Sequence, residues 1–231
     1  MAVHGVLLDF SGTLFRLDFG PTEAWSADLV RRGVTTVPDL TEQAELMRVL
    51  TSPVRPLAEL PPDLVDAWHR RDLDPELHRS VYLGMLRHSG LADEALAVAC
   101  YEQIGDARNW QPYPDTRATL ELLRDKGIPV AVVSNIAFDL RPVFDHVGLV
   151  DLVDEFVLSY VEGSMKPDPK LFRIACERLG VEPADALMIG DSAEADGGAA
   201  ALGIAVEIVP PLPPEQRPDG LLTALAAHGV S

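Results

Sequence analysis

Lysine is scarce in this sequence: Lys126, Lys166 and Lys170 stand against sixteen arginines in 231 residues. Any catalytic lysine must be one of those three. Cysteine is scarcer still, with Cys100 and Cys176 far apart in stretches of helical patterning. Such thiols read as two buried side chains rather than a disulfide, and two cysteines alone make no zinc site. No apolar run approaches the ~20 residues needed to span a bilayer. The N-terminus has neither a basic start nor a small-residue cleavage site, so a cytoplasmic product is expected. Basic runs are absent too, and the formal net charge of −17 argues against nucleic acid or an anionic membrane as partner. An anionic substrate would have to be met by local cations or a metal. No Gly-x-Gly-x-x-Gly follows the first apolar run, which excludes the dinucleotide-binding fingerprint. There is no internal repeat and no low-complexity tail, and nothing in the sequence sets an oligomeric state.

What is present is an ordinary globular composition, 47% apolar, in a chain long enough for one large domain or a domain with an insert. Val6-Leu7-Leu8 ends abruptly at Asp9, the pattern of a buried parallel strand that stops where polar chemistry begins. Gly12 allows a sharp turn just beyond, whose N–H groups can cradle an anion. From 15 to 112 the patterning is helical only, with helices expected at 21–32, 40–50, 62–71, 75–88 and 92–104. Proline-rich joints fall at Thr51-Ser52-Pro53 and Leu60-Pro61-Pro62. Asp74-Pro75 is a helix start, with an N-cap acceptor followed by proline at the first helical position.

Strand–helix alternation resumes at Tyr113. Asp115 is expected to cap a helix reaching Asp125, and strands are expected at 129–133, 155–158, 186–190 and 204–209. Helices are expected near 139–146, over 170–179, in the alanine-rich stretch ending at Leu202, and over 220–228. Three of the strands end in polar groups, Asp9, Ser134 and Asp191, and ligands in open α/β sheets bind at that edge.

These residues together resemble the haloacid dehalogenase-like hydrolase superfamily. Asp9-Phe10-Ser11-Gly12-Thr13 is similar to its nucleophile motif, and Ser134-Asn135 to its second. Lys166, within Gly163-Ser164-Met165-Lys166-Pro167, is similar to its third, and Gly190-Asp191-Ser192 with Asp196 to its acidic fourth. The resemblance implies a three-layer Rossmann-like α/β core with a parallel sheet, formed by 1–14 and 113–231, and an inserted all-helical cap at 15–112. It implies a phosphatase acting on a small-molecule phosphate ester through an aspartyl-phosphate on Asp9. Mg²⁺ would be held by Asp9, the main-chain oxygen of Ser11, Asp191 and Asp196. Gly12, Thr13, Ser134, Asn135 and Lys166 would bind the phosphoryl group, Asn135 through its main chain, with Lys166 also holding Asp9 ionised. The bland alternatives are a solvated Lys166 beside a turn and an Asp196 placed only to suit a helix N-terminus.

One departure limits the likeness. Phosphatases of this superfamily carry a second aspartate two positions after the nucleophile, to protonate the leaving alcohol and then activate water; here it is Ser11. A hydroxyl has no pKa near neutrality, so a slow phosphatase is one expectation. A haloacid dehalogenase, which also has a non-acid there, is another, though it has no use for Asp191 and Asp196. A non-catalytic phosphate-binding member is a third. The phosphonate-cleaving branch needs a cap lysine, and 15–112 has none. Substitute proton donors would be Asp18, His69, His78 or His88, with His78 and His88 read as sharing a helix face. Arg70, Arg71 and Arg79 could orient an anion, while Trp25 and Trp68 read as cap core.

Overall fold

Residues 3–51, 61–90 and 93–231 of the computed structural model are described below. Seven strands lie among them: β1 (Gly5–Leu8), β2 (Phe15–Leu17), β3 (Trp110–Pro112), β4 (Val130–Ser134), β5 (Glu155–Leu158), β6 (Ala186–Gly190) and β7 (Ala205–Ile208). Five form a parallel sheet in the order β5-β4-β1-β6-β7, so the first strand is central. Leu8 pairs with Val132 on one side and Ile189 on the other. That register brings Asp9, Ser134 and Asp191 to the same carboxyl edge.

The central strands are buried on both faces, as their unbroken apolar runs require. Leu7, Ala131, Val133 and Val157 share a core with Leu171, Phe172 and Ala175 of the helix Pro169–Leu179. Each large side chain buried there contributes roughly 2 kcal/mol. A second cluster is aromatic: the Phe10 ring lies 4.6 Å from Trp110, 5.2 Å from Phe15 and 6.1 Å from Phe144.

The chain divides into two compact units, Met1–Arg16 with Trp110–Ser231, and Leu17–Asn109. The second is built from the helices Thr22–Arg31, Leu40–Thr51, Pro62–Trp68, Pro75–Ser89 and Glu94–Ile104. Trp25, Leu29, Leu46, Val81, Met85 and Ala97 are buried in it. Asp74 caps its helix as expected, accepting from Leu77 N at 2.8 Å. Trp68 is buried as well, with the Arg71 guanidinium 3.8 Å over its ring. Among the described residues no helix is long and apolar enough to cross a membrane. The joint at Ser52-Pro53 and Leu60, and the first residue of the helix expected from 92, lie outside the described residues.

Several local expectations need correction. The segment read as helical only, 15–112, contains β2 at its start and β3 at its end, which pair in a separate two-stranded sheet too short to leave a periodic signal. The helix expected to reach Arg71 stops at Trp68 and gives way to a 3₁₀ turn at Arg71–Leu73, because Asp74, preceding proline, is extended. The alanine-rich helix is a 3₁₀ helix, Asp196–Leu202. It passes so close to the backbone of Pro167 that a Cβ on Gly198 would stand 2.3 Å from the Pro167 oxygen. Asp115 does not cap its own helix, Thr116–Asp125. Its Oδ2 instead accepts from Leu221 N (2.7 Å) and Leu222 N (3.2 Å), at the start of the helix Gly220–Ala227.

Candidate active site

Asp9 is placed by the last rung of β1: its N–H donates to the Ile189 carbonyl at 3.0 Å, and the chain then turns. Leu14 N and Phe15 N both donate to the Phe10 carbonyl, and Gly12 N donates to that of Phe15 at 2.7 Å. Gly12 sits at φ +80°, and a Cβ there would meet Asp191 Oδ2 at 2.2 Å. Glycine is therefore demanded twice, by the backbone angle and by the close approach of Asp191.

Lys166 Nζ donates to Asp9 Oδ1 at 2.7 Å and to Asp196 Oδ1 at 2.6 Å. All three residues are buried, Asp196 completely. The other oxygen of Asp196 accepts from Ser192 N at 2.9 Å, and it lies so close to Gly190 that a Cβ there would fall 2.0 Å away. Neither bland alternative holds, since Lys166 is not solvated and Asp196 spends its carboxylate on Lys166 and the Ser192 amide. One carboxylate oxygen from each of Asp9, Asp191 and Asp196 lies within 4.8 Å of the others. Three hard anionic donors beside one ammonium leave a net negative pocket, a donor set that suits a small divalent cation.

The charge states reflect that imbalance. Burial, aided by the Asp196 and Asp191 carboxylates and opposed by Lys166, pushes Asp9 up to about 7. Burial and Asp196 raise Asp191 as well. Burial disfavours the Lys166 ammonium, but Asp9 and Asp196 outweigh it and hold the group above the usual lysine range.

Asn135, expected to act through its main chain, engages Lys166 through its side chain. Its Oδ1 accepts from Lys166 N at 2.7 Å and its Nδ2 donates to the Lys166 carbonyl at 2.9 Å. Ser134 is buried as the final residue of β4, and Ser11 is exposed. Thr13, expected among the substrate-binding residues, has no exposed surface, because the tight turn folds it inward. Its main-chain oxygen accepts from Arg217.

Of the substitute proton donors, Asp18 accepts from Gly20 N at 2.8 Å. His69 and His88 are exposed and His78 is buried, so the last two do not share a face. Ten residues at 100° each leave them about 80° apart. His78 Nδ1 lies 3.0 Å from the Tyr101 hydroxyl and Nε2 3.7 Å from Asp72 Oδ1. Burial, with Arg71 nearby, lowers it to about 4.

Arg217 was missed by sequence reasoning. It is the sole arginine or lysine after Arg178, a signal available in the sequence but hidden in a proline-rich segment. A carboxylate at a strand end, tied to a buried ammonium and ringed by further carboxylates, is equipped for nucleophilic attack on an electrophile whose charge is neutralised locally.

Comparison with known proteins agrees with this geometry. A family model described as haloacid dehalogenase-like hydrolase matches residues 3–203. The chain is similar to haloacid dehalogenase-like hydrolase domain-containing protein 3 of Mus musculus, 35% identical over 49% of this chain and 47% of that protein. It thus spans about half the length of that relative. It is also similar to the glyceraldehyde 3-phosphate phosphatase of Methanopyrus kandleri, 31% identical over 84% of this chain and 78% of that one. Among solved structures, L-2-haloacid dehalogenase from Xanthobacter autotrophicus shares the fold, with TM-score 0.65 and 23% identity, covering 96% of this chain and 83% of that one.

Proposed function

This chain belongs to the haloacid dehalogenase-like hydrolases, and within that family we propose that it is a phosphatase of small phosphate esters working through Asp9. The observation that carries the proposal is the Asp9–Lys166–Asp196 ion-paired cluster with Asp191 within reach of the same point. A displacement at carbon that expels halide has no use for two extra carboxylates, whereas a phosphoryl group brings anionic oxygens that a shared cation would offset.

In the proposed reaction Asp9 attacks phosphorus, the P–O bond to the alcohol breaks, and the phosphoryl group stays on the carboxylate. Water then attacks phosphorus, releasing inorganic phosphate and restoring Asp9. Lys166 opposes the burial-driven rise in the Asp9 pKa and faces the negative charge that develops during transfer. Ser134 and Asn135 stand at the neighbouring strand end, Ser134 as a donor to a phosphoryl oxygen and Asn135 as the clamp on Lys166. Mg²⁺, when bound by Asp9, Asp191, Asp196 and the main-chain oxygen of Ser11, supplies charge neutralisation and Lewis acidity. The departing alkoxide takes its proton from water, because Ser11 has no acid to give. Turnover is therefore slow for alcohols that leave poorly. The expected location is the cytoplasm.

The test is hydrolysis of 4-nitrophenyl phosphate by the purified chain with Mg²⁺, with Asp9→Asn alongside. Turnover that is lost with chelator and in Asp9→Asn supports the reading. Chloride release from 2-chloropropionate in the presence of chelator, without phosphatase activity, overturns it in favour of dehalogenation. Phosphate binding with no turnover of either substrate overturns it in favour of a non-catalytic member.

A further inference from the structure

Beneath the loop that carries Asp9 lies a buried cation outside the motifs, and beyond residue 203 where the family match ends. Arg217 Nη1 donates to the Gly12 carbonyl at 2.7 Å, and Nη2 donates to the Thr13 carbonyl. Its guanidinium carbon sits 3.5 Å from the centre of the Tyr113 ring, and the residue is 4% exposed. A buried arginine ordinarily meets a carboxylate, which returns the cost of removing its charge from water. Here the fork is spent on two successive main-chain carbonyls and an aromatic face.

The surroundings are shaped to hold it there. A Cβ on Gly220 would stand 2.8 Å from Arg217 Cγ, so glycine leaves the space that the side chain occupies. Asp115 caps the helix that starts at Gly220, anchoring the segment just after Arg217. Pro211 Cβ would be 3.2 Å from a Cβ on Gly12, so the same segment touches the turn a second time.

We propose that Arg217 is a positioning residue for phosphoryl transfer: by holding the Gly12 and Thr13 carbonyls it fixes the turn that aims Asp9 and the Ser11 main-chain oxygen. The proposal rests on the phosphatase reading of the site. Two peptide planes pinned by one rigid fork cannot rotate, so their carbonyl dipoles stay turned away from a site already rich in negative charge. Without the fork the planes are free to swing, and the strand-end carboxylate loses its fixed direction.

The experiment compares Arg217→Lys and Arg217→Ala with the parent and with Asp9→Asn, using 4-nitrophenyl phosphate and Mg²⁺. Small misplacements of a reacting group are costly, so kcat is expected to fall about tenfold or more in both arginine variants, with KM changed less than about threefold. Millimolar guanidinium, far below denaturing concentrations, is expected to restore part of kcat in Arg217→Ala and none in Asp9→Asn. Thermal melting establishes that each variant is folded at the assay temperature. If Arg217→Ala does not fold, Arg217→Lys decides, since it keeps the charge and loses only the fork. Folded variants with parental kcat overturn the role of Arg217, as does a loss confined to melting temperature. A parent that Asp9→Asn leaves unaffected overturns the phosphatase reading instead.

Discussion

The Asn135 carboxamide closes a two-bond ring on the Lys166 peptide, accepting from its N–H at 2.7 Å and donating to its carbonyl at 2.9 Å. The second motif thereby sets the position of the third, 31 residues further on. Asn135→Ala removes both bonds, which at about 1 kcal/mol each should lower stability by about 2 kcal/mol in urea denaturation. Lys166 then loses its footing, so kcat should fall while KM moves little. Asn135→Asp keeps the acceptor and loses the donor, and should lie between.

Lys166 pairs with two buried carboxylates at once, Asp9 and Asp196. Lys166→Met leaves both without a counter-charge, and breaking a buried pair this way costs about 3 kcal/mol or more. Melting with chelator should show the full loss, and added Mg²⁺ should recover more stability in this variant than in the parent. A variant that melts with the parent under chelator would show that the pair contributes nothing net.

Ser11 is exposed, so an aspartate fits there without steric cost. Ser11→Asp should raise turnover of alkyl phosphates by about 10²-fold or more, the usual worth of a general acid, and change 4-nitrophenyl phosphate far less. In the parent, rapid mixing should show a burst of nitrophenol ahead of the steady state, because hydrolysis of the acyl phosphate also lacks a base.

Gly12 has both a positive φ and the Asp191 carboxylate against its open side. Gly12→Ala should therefore destabilise by about 1 kcal/mol from backbone strain alone and displace Asp191 as well. The Mg²⁺ concentration needed for half-maximal activity should rise; calorimetric titration with Mg²⁺ checks the affinity directly.

Asp28 supplies a pH dependence within the helical unit. Burial alone would raise its carboxyl, but Arg32, Gln103 and Arg31 donate to it and hold it at about 2, below its ordinary 3.8. A depressed folded-state pKa stabilises above pH 3.8 and loses that contribution as pH falls toward 2. Asp28→Asn should be about 2 kcal/mol less stable than the parent at pH 7, with the gap closing near pH 2. Denaturation curves at the two pH values measure it.

Much of this was legible because apolar strands that stop at Asp9, Ser134 and Asp191 leave a plain one-dimensional trace. The same holds for Asp74-Pro75, whose cap acts within three residues. Long-range partnerships leave no such trace. Nothing local distinguishes an Asp115 that caps its own helix from one that caps another 106 residues away. The grip of Arg217 on Gly12, the inward turn of Thr13 and the burial of His78 are likewise decided by packing. The close approach of the Asp196–Leu202 3₁₀ helix to the Pro167 backbone at Gly198 is likewise invisible in an alanine-rich run.

The position of β1 bears on how the protein is made. Val6 pairs with Val130 on one edge and Leu187 on the other, so a strand that leaves the ribosome before its partners must wait for both neighbours. During that interval an apolar segment with two open edges is exposed to misassociation, and parallel pairing across such separations is slow. Chaperone dependence during synthesis should therefore be greatest before residue 190 has cleared the exit tunnel.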